Sequence, residues 1–312
     1  MRKKSALAIM MAAVICLLAL CPGLSAAEDT ASLPDDFDYI AYSALRGVGD
    51  AWINSAEHFQ LCCSDEFPFT TIKGDVQPTK DGGIIMCHDP GLTLDDEGKV
   101  IAYDAKDNTA IHDLTYKQCM KLTYAKQHNG QDVNVCDFET YISICAEGNK
   151  NAYITIRKQK IAVIIKKMMK ILRKYHMEDR CIINSFTYDS LALVKKYAPD
   201  IQVSWVIGSG LLTKAKVDKA VGLGNCIITL YEFPASRFGG FKTMENYRGV
   251  IDYAREQGIT LYAAIVESGA YTPLLKQMGI SGAQFAVNPL AAIDDRGESA
   301  PLVDWTEDNS VN

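Results

Sequence analysis

The chain has 312 residues, of which 48% are hydrophobic and 22% are charged, and its net charge at pH 7 is −6. This length excludes a small scaffold held together mainly by disulfides and suits one large α/β barrel. The acidic balance argues against general binding to nucleic acid or to anionic lipid.

Residues 1–27 have the pattern of a secretory signal peptide: a basic MRKK start, an apolar run and the small-residue exit Ser25-Ala26-Ala27. The apolar run is shorter than the roughly 20 residues that span a bilayer, and no later segment approaches that length. We therefore expect an exported mature chain without a transmembrane segment, either secreted or at the cell surface. Cys21, which closes LALC, leaves lipidation as an alternative.

Eight short apolar runs alternate with helical patterns along the rest of the chain. The predicted strands cover residues 39–47, 70–76, 151–158, 181–186, 201–207, 226–231, 259–266 and 282–289. The clearest amphipathic helices are predicted at 160–176, 190–199 and 245–258. This alternation predicts an α/β fold, a (β/α)8 TIM barrel over residues 28–300, followed by an exposed tail at 301–312.

The second predicted strand is followed by a hairpin. In TKDGG, Asp81-Gly82 supplies the turn and IIMCHD forms the returning strand, which brings His88 back towards the end of the second strand. The polar segment from His88 to Cys136 is too long for an ordinary βα loop. We expect it to form an insertion after the second strand, over one end of the barrel.

Charged residues occupy strand positions that should face the barrel mouth. Lys73 and Asp75 alternate onto one face of TTIKGDV, and Thr155 and Arg157 share a face of the third strand. Charges on an otherwise apolar parallel strand need partners or a ligand. The alternative is a Lys73–Asp75 pair at a solvated rim, with His88 an ordinary surface group.

Eight cysteines follow the predicted signal peptide. Export permits disulfides, but the spacing does not select a pairing, and no CxxC motif indicates zinc. Cys181 and Cys226 open apolar strands and are predicted to be buried thiols.

Taken together, these motifs resemble those of the glycerophosphodiester phosphodiesterase family. The family signature contains HRG on the first strand, E-x-D-V-x-x-T-K-D-G with a closing H-D, and E-x-K on the third strand. The corresponding segments here are LRG (45–47), KGDVQPTKDG (73–82), HD (88–89), TIR (155–157), SF (185–186) and GISGAQFAVNP (279–289).

The resemblance implies hydrolysis of glycerophosphodiesters to glycerol 3-phosphate and an alcohol. In the family, two histidines exchange protons and glutamate and aspartate side chains hold calcium or magnesium. This chain keeps Arg46, Asp75 and His88, and Arg157 stands in the lysine position. It departs from the pattern by placing leucine for the first histidine and non-carboxylate residues for both metal glutamates, at Leu45, Lys73 and Thr155.

These departures predict that the metal site is degraded and that the chain needs no cofactor. We expect His88 and Arg46 in the catalytic positions and Lys73 and Arg157 on phosphate, with Asp75 the remaining metal-ligand position. The expected partner is a small phosphodiester or polyol phosphate, bound with weak or no metal-dependent hydrolysis.

Two alternative functions remain at this point. The chain is an active, metal-independent hydrolase that uses His88 and Lys73, or a barrel that serves only as an interaction scaffold. His58, predicted to be exposed on the helix after LRG, is a candidate for the missing histidine. Glu232 and Glu267, just beyond the sixth and seventh strands, are candidate rim carboxylates.

Overall fold

The computed structural model describes residues 33–42, 52–104, 109–157, 161–208, 212–231, 248–266, 269–286 and 288–290. The predicted signal peptide, the tail at 301–312, Arg46, Glu232 and Glu267 lie outside these ranges. No helix in the described ranges is both long enough and apolar enough to cross a membrane.

Eight parallel strands close into a barrel, because the first strand pairs with both the second and the last. In chain order they are β1 (Asp38–Ala41), β2 (Thr71–Pro78), β7 (Asn151–Thr155), β8 (Cys181–Ser185), β9 (Gln202–Gly208), β10 (Cys226–Tyr231), β11 (Thr260–Val266) and β12 (Gly282–Phe285). The predicted (β/α)8 barrel is confirmed, with all eight strands in the expected order.

Helices cover the outside of the barrel and return the chain between strands. They are α1 (Ala56–Cys63), α2 (Tyr116–Cys119), α3 (Phe138–Glu147), α4 (Ile161–Lys174), α5 (Tyr188–Tyr197), α6 (Lys214–Leu223), α7 (Arg248–Glu256) and α8 (Thr272–Gln277). Two helices that lie behind the site have side-chain N-caps. Ser55 accepts the His58 N–H at the start of α1, and Asp137 accepts the Thr140 N–H at the start of α3.

The predicted hairpin is present. Strand β3 (Ile84–Met86) runs antiparallel to the end of β2, and Gly82 takes a positive φ of 77° in the connecting turn. Beyond it, β4 (Gly91–Leu94), β5 (Val100–Asp104) and β6 (Thr109–Ala110) form a separate three-stranded antiparallel sheet. The segment after β2 is therefore a folded insertion with a small apolar core of its own.

The barrel interior is closed below the mouth by a mixed layer of apolar and hydroxyl side chains. Ile40, Ile182 and Ile227 pack with Tyr153 and Tyr262. The Tyr153 hydroxyl is 2.8 Å from the hydroxyls of Ser204 and Thr229, which are 2.8 Å from each other. Because these groups satisfy one another, the interior is a packed floor, and a ligand has access only above it.

Candidate functional site at the barrel mouth

Strand β2 carries an ion pair into the barrel mouth. Lys73 and Asp75 alternate onto the inner face, where they are 5% and 1% exposed. The Lys73 Nζ lies 2.8 Å from both carboxylate oxygens of Asp75. The alternative of a pair at a solvated rim is therefore wrong, because both side chains are buried.

Asn54 holds Asp75 in position. Its backbone has a positive φ of 65° just before the capped start of α1. Its Oδ1 accepts the backbone N–H of Asp75 at 3.1 Å, and its Nδ2 lies 3.5 Å from Asp75 Oδ2. Sequence analysis did not assign Asn54 a role; the available signal was its position in the segment that follows LRG.

The burial of the pair has opposing effects on its two pKa values. Burial would raise the pKa of Asp75, but the nearby positive charge of Lys73, with His88 and Arg157, lowers it below its ordinary value. Burial lowers the pKa of Lys73 despite the attraction of Asp75, and Arg157 adds to that lowering. Each member of the pair therefore offsets part of the other's desolvation.

His88 and Arg157 meet above the pair. The Arg157 Nη2 is 3.1 Å from His88 Nε2, while His88 Nδ1 is 3.1 Å from Asp89 Oδ1. Since a guanidinium only donates, His88 Nε2 is the acceptor and the imidazole carries its proton on Nδ1, towards Asp89. Arg157 therefore covers the lone pair that a general base at this position would use.

The four predicted residues within the described ranges come together around one pocket of about 190 Å³. Its wall combines the charged group with neutral polar and aromatic side chains: Tyr42, Lys73, Asp75, His88, Thr155, Arg157, Asn184, Phe186, Val206, Tyr231 and Gln284. Among these lining residues two cations face one carboxylate, so the pocket lining carries a net positive charge.

One side of the pocket is aromatic. The rings of Phe186 and Tyr231 meet edge to face with centroids 5.4 Å apart, and Phe186 is 54% exposed at the opening. On another side, the Tyr42 ring centroid lies 5.0 Å from Lys73 Nζ. The cationic groups therefore sit at the base of an opening with an apolar edge.

The calcium or magnesium ion that the family resemblance implies does not fit these side chains. A protein-built site for either ion uses several oxygen ligands, usually including more than one carboxylate. Here Asp75 is the carboxylate of the pocket lining, and Lys73 already contacts both of its oxygens. The described residues contain no cluster of three His, Cys, Asp or Glu side chains placed to hold a metal.

The prediction for His58 is wrong in one respect. The side chain is 3% exposed, and it lies on the buried face of α1 instead of lining the pocket. Its Nε2 is 3.7 Å from Cys62 Sγ, and burial together with the charge of Lys73 lowers its pKa to about 4. A buried, neutral histidine outside the pocket is not a replacement for the missing acid or base.

Comparison with known proteins agrees with the motifs. A model of the glycerophosphoryl diester phosphodiesterase family matches residues 46–284. A glycerophosphodiester phosphodiesterase of Caldanaerobacter subterraneus subsp. tengcongensis is 27% identical over 149 residues, which are 45% of this chain and 56% of that protein. The chain thus spans about half the length of the curated relatives it matches.

Solved structures share the fold at low identity. A phosphodiesterase of Oleispira antarctica, in complex with the product sn-glycerol-3-phosphate, has a TM-score of 0.64 at 15% identity, covering 83% of this chain and 95% of that one. A glycerophosphodiester phosphodiesterase of Parabacteroides distasonis has a TM-score of 0.60 at 15% identity, covering 81% and 94%. With the family model matching most of its length, the chain belongs to the glycerophosphoryl diester phosphodiesterase family.

Proposed function

We propose that this chain is an exported family member whose barrel binds a phosphate or phosphodiester group without a metal and hydrolyses it weakly or not at all. The observation that carries the proposal is the position of Lys73 Nζ, 2.8 Å from both oxygens of Asp75. The ammonium contacts both oxygens of the carboxylate that a metal would need and places a cationic side chain in the pocket.

The cations are arranged to receive an anion. Lys73 has three N–H donors, two of which are directed to Asp75, and the third is available to a ligand oxygen. Arg157 brings a guanidinium fork, the geometry that matches phosphate oxygens. In the proposed complex, Arg157 exchanges its contact with His88 for the stronger, charge-assisted contact with the anion.

The pocket favours a small ligand. Its volume of about 190 Å³ is smaller than the roughly 300–1,000 Å³ typical of sites for drug-sized molecules. A phosphate bearing a short polyol, such as glycerol 3-phosphate, suits this space, and the aromatic edge at Phe186 and Tyr231 would contact a second substituent.

A second candidate function is metal-independent phosphodiester hydrolysis. It is favoured by the contact between His88 Nδ1 and Asp89, which fixes the tautomer with Nε2 facing Arg157. If Arg157 moves to the phosphate, Nε2 becomes free to accept a proton, and Lys73 stabilises the charge that develops on the phosphoryl oxygens. Leu45 supplies no second proton-transfer group, so the expected rate is low.

Calorimetric titration with inorganic phosphate and with glycerol 3-phosphate, both in EDTA, tests the binding proposal. We expect measurable binding that Arg157→Gln weakens about tenfold or more, because a charge-assisted hydrogen bond is lost. Arg173→Gln is the matched control, since Arg173 is exposed on α4 and pairs with Glu178 at 4.0 Å. Arg157 is the better probe because removing Lys73 alone would leave Asp75 buried and unpaired.

Incubation with glycerophosphocholine and an aryl phosphodiester, with calcium or with EDTA, separates the two candidate functions. Turnover in EDTA that is lost in His88→Ala and kept in His112→Ala supports hydrolysis; His112 pairs with Asp113 outside the pocket. Turnover that requires calcium contradicts both candidates. If neither anion nor substrate binds, the barrel is a scaffold and the binding proposal is wrong.

A further inference from the structure

Two of the eight cysteines after the predicted signal peptide lie against each other behind the site. Cys63 is the last residue of α1, and Cys145 lies in the last turn of α3. The Cys63 Sγ is 3.9 Å from the carbonyl oxygen of Ile144, the residue before Cys145, and the two thiols are close enough to shift each other's pKa values. We propose that Cys63 and Cys145 form a reversible disulfide that joins α1 to α3.

The local packing brings the two helix ends close together. A Cβ atom at Gly148 would lie 2.9 Å from Cys63 Cβ and 3.1 Å from its Sγ, so glycine admits the Cys63 side chain to the end of α3. Cys63 is partly exposed, whereas Cys145 is fully buried. The pair therefore has one thiol that a solvent oxidant can reach and one that only its neighbour can reach.

The electrostatic surroundings assign different roles to the two sulfurs. The hydrogen bond from Cys145 and the charge of Lys150 lower the pKa of Cys63, although burial opposes them. Burial raises the pKa of Cys145 well above its ordinary value. Because the thiolate is the nucleophile in thiol–disulfide exchange, Cys63 is the attacking sulfur and Cys145 the resolving sulfur.

Five of the other six thiols of the described chain have contacts of their own. Cys62 faces His58, with 3.7 Å between its Sγ and the imidazole Nε2. Backbone carbonyl oxygens lie within 3.5 Å of the Sγ atoms of Cys87, Cys136, Cys181 and Cys226. The pairing of Cys63 with Cys145 is therefore the one that we propose among those that the sequence spacing left open.

The reaction with a low-molecular-weight disulfide such as oxidised glutathione balances in two steps. The Cys63 thiolate attacks one glutathione sulfur, forming a mixed disulfide as the original S–S bond breaks and one glutathione leaves as thiolate. Cys145 then attacks the Cys63 sulfur, the mixed disulfide breaks, and the second glutathione leaves with the proton of the Cys145 thiol. Two protein thiols are oxidised, and one glutathione disulfide is reduced to two thiols.

The bond would brace the helices that support β2. Helix α1 begins beside Asn54, which holds Asp75, and in α3 the Tyr141 hydroxyl donates to the carbonyl of Ile72 at 2.7 Å. Joining α1 to α3 closes a long loop of the unfolded chain, so oxidation should raise the melting temperature. An exported protein would meet the oxidising surroundings in which such bonds persist.

Peptide mapping tests the pairing. The purified chain is equilibrated with a mixture of oxidised and reduced glutathione, its free thiols are alkylated, and an unreduced digest is analysed by mass spectrometry. We expect a linked peptide joining Cys63 to Cys145, absent after treatment with a reductant. Recovery of both residues fully alkylated, or of Cys63 joined to Cys62 or to another cysteine, overturns the proposal.

Thermal unfolding of the oxidised and reduced forms supplies a second measurement. Oxidation should raise the Tm of the wild type by about 5 °C or more. The difference should vanish in Cys63→Ser, which alters the partly exposed thiol and leaves the buried one in place. It should persist in Cys226→Ser, a control on β10. Loss of the Tm difference in both variants, or in neither, contradicts the pairing.

Discussion

We propose that the Lys73 side chain stands in place of a metal ion. Inside the barrel mouth, its ammonium lies 2.8 Å from the Asp75 carboxylate. Asn54 accepts the backbone N–H of Asp75 and contacts the carboxylate through its Nδ2. Burying a charge costs free energy unless the charge is paired and hydrogen-bonded. Each of these residues therefore lowers the free-energy cost of burying the others. The group is therefore a coupled unit, and removing any one member changes the ionisation of the rest.

His58 provides a prediction at the residue scale. Its pKa is lowered to about 4 in the folded chain, so between about pH 6.5 and 4 the unfolded chain binds a proton that the folded chain does not. Stability should therefore fall as the pH drops, by about 2 kcal/mol from pH 7 to 5 for this group alone. Urea unfolding at the two pH values measures the change.

His58→Leu is the informative variant for this measurement. The substitution places an apolar side chain of similar size on the buried face of α1. It removes the titrating imidazole, whose Nδ1 has no hydrogen-bond partner among the described residues. The loss of stability between pH 7 and 5 should be smaller in the variant than in the wild type. His112→Leu, at an exposed position, should behave as the wild type does. An equal loss in His58→Leu would assign the acid sensitivity to other groups.

Sequence alternation was sufficient to place Lys73 and Asp75 on one face, because a strand has a period of two whatever surrounds it. It was not sufficient for His58 or Asn54. The burial of His58 depends on how α1 packs against the rest of the chain, and the contact of Asn54 depends on a left-handed residue meeting a strand 21 positions away. The position of Asn54 after LRG was the available sequence signal, and it indicates neither the contact with Asp75 nor the burial of His58.

At the scale of elements, β2 is packed on both faces. Its inner face presents the ion pair, while Gly74, between the two charged residues, faces β3 and α3. A Cβ atom at Gly74 would lie 2.4 Å from Met86 Cε and 3.1 Å from the Tyr141 ring. The absence of a side chain there lets the hairpin and the helix support β2 closely.

We expect Gly74→Ala to destabilise the chain by about 1–3 kcal/mol, because the added methyl group overpacks this junction. Chemical denaturation measures the change. Gly74→Ala/Met86→Leu should recover part of the loss, since leucine lacks the terminal methyl that clashes. Gly222→Ala is the control, because nothing lies within 4 Å of a Cβ there and alanine favours the helix. A neutral Gly74→Ala would show that the junction is loosely packed.

The hairpin β2–β3 was predictable because Asp81-Gly82 is a strong turn signal between two apolar runs. The small sheet β4–β6 was not. Its strands have two to five residues and lie in polar sequence, so no periodicity marks them. Their order comes from packing on a shared core that includes Ile85 and Tyr124, and Tyr124 stacks on Trp52 at 4.7 Å.

At the scale of the whole molecule, barrel closure makes neighbours of residues that are distant in sequence. In the pairing of β2 with β7, Asp75 is the register partner of Thr155. Counting eight alternating strands was enough to predict this convergence, since parallel strands end at the same edge. The sequence did not show that Arg157 would contact His88, because that contact depends on where the hairpin returns.

The effect of calcium on the melting temperature provides a prediction for the whole chain. A ligand that binds only the folded state raises Tm, and at a fixed concentration the rise is larger when the ligand binds more tightly. With Lys73 occupying Asp75, millimolar calcium or EDTA should shift the wild-type Tm by less than about 1 °C, whereas phosphate should raise it. Differential scanning calorimetry makes both measurements. A calcium-induced rise that EDTA reverses would contradict the proposed metal-free site.

The variant Lys73→Glu/Thr155→Glu provides the complementary test. It places three carboxylates on adjacent strands, a set that suits calcium. Without calcium their mutual repulsion should lower the Tm below that of the wild type, and calcium should restore it. Lys117→Glu/Gln257→Glu, at exposed positions, controls for the added negative charge. Equal calcium responses in the two variants would count against the designed site.

The amino group of Lys73 is made with the polypeptide. It is present in every copy from synthesis onward, in fixed stoichiometry, and cannot be stripped by a chelator or displaced by a competing mineral. A barrel of this kind would recognise its anion equally well in surroundings rich or poor in dissolved metals. It would lack the stronger polarisation by which a doubly charged ion promotes bond cleavage.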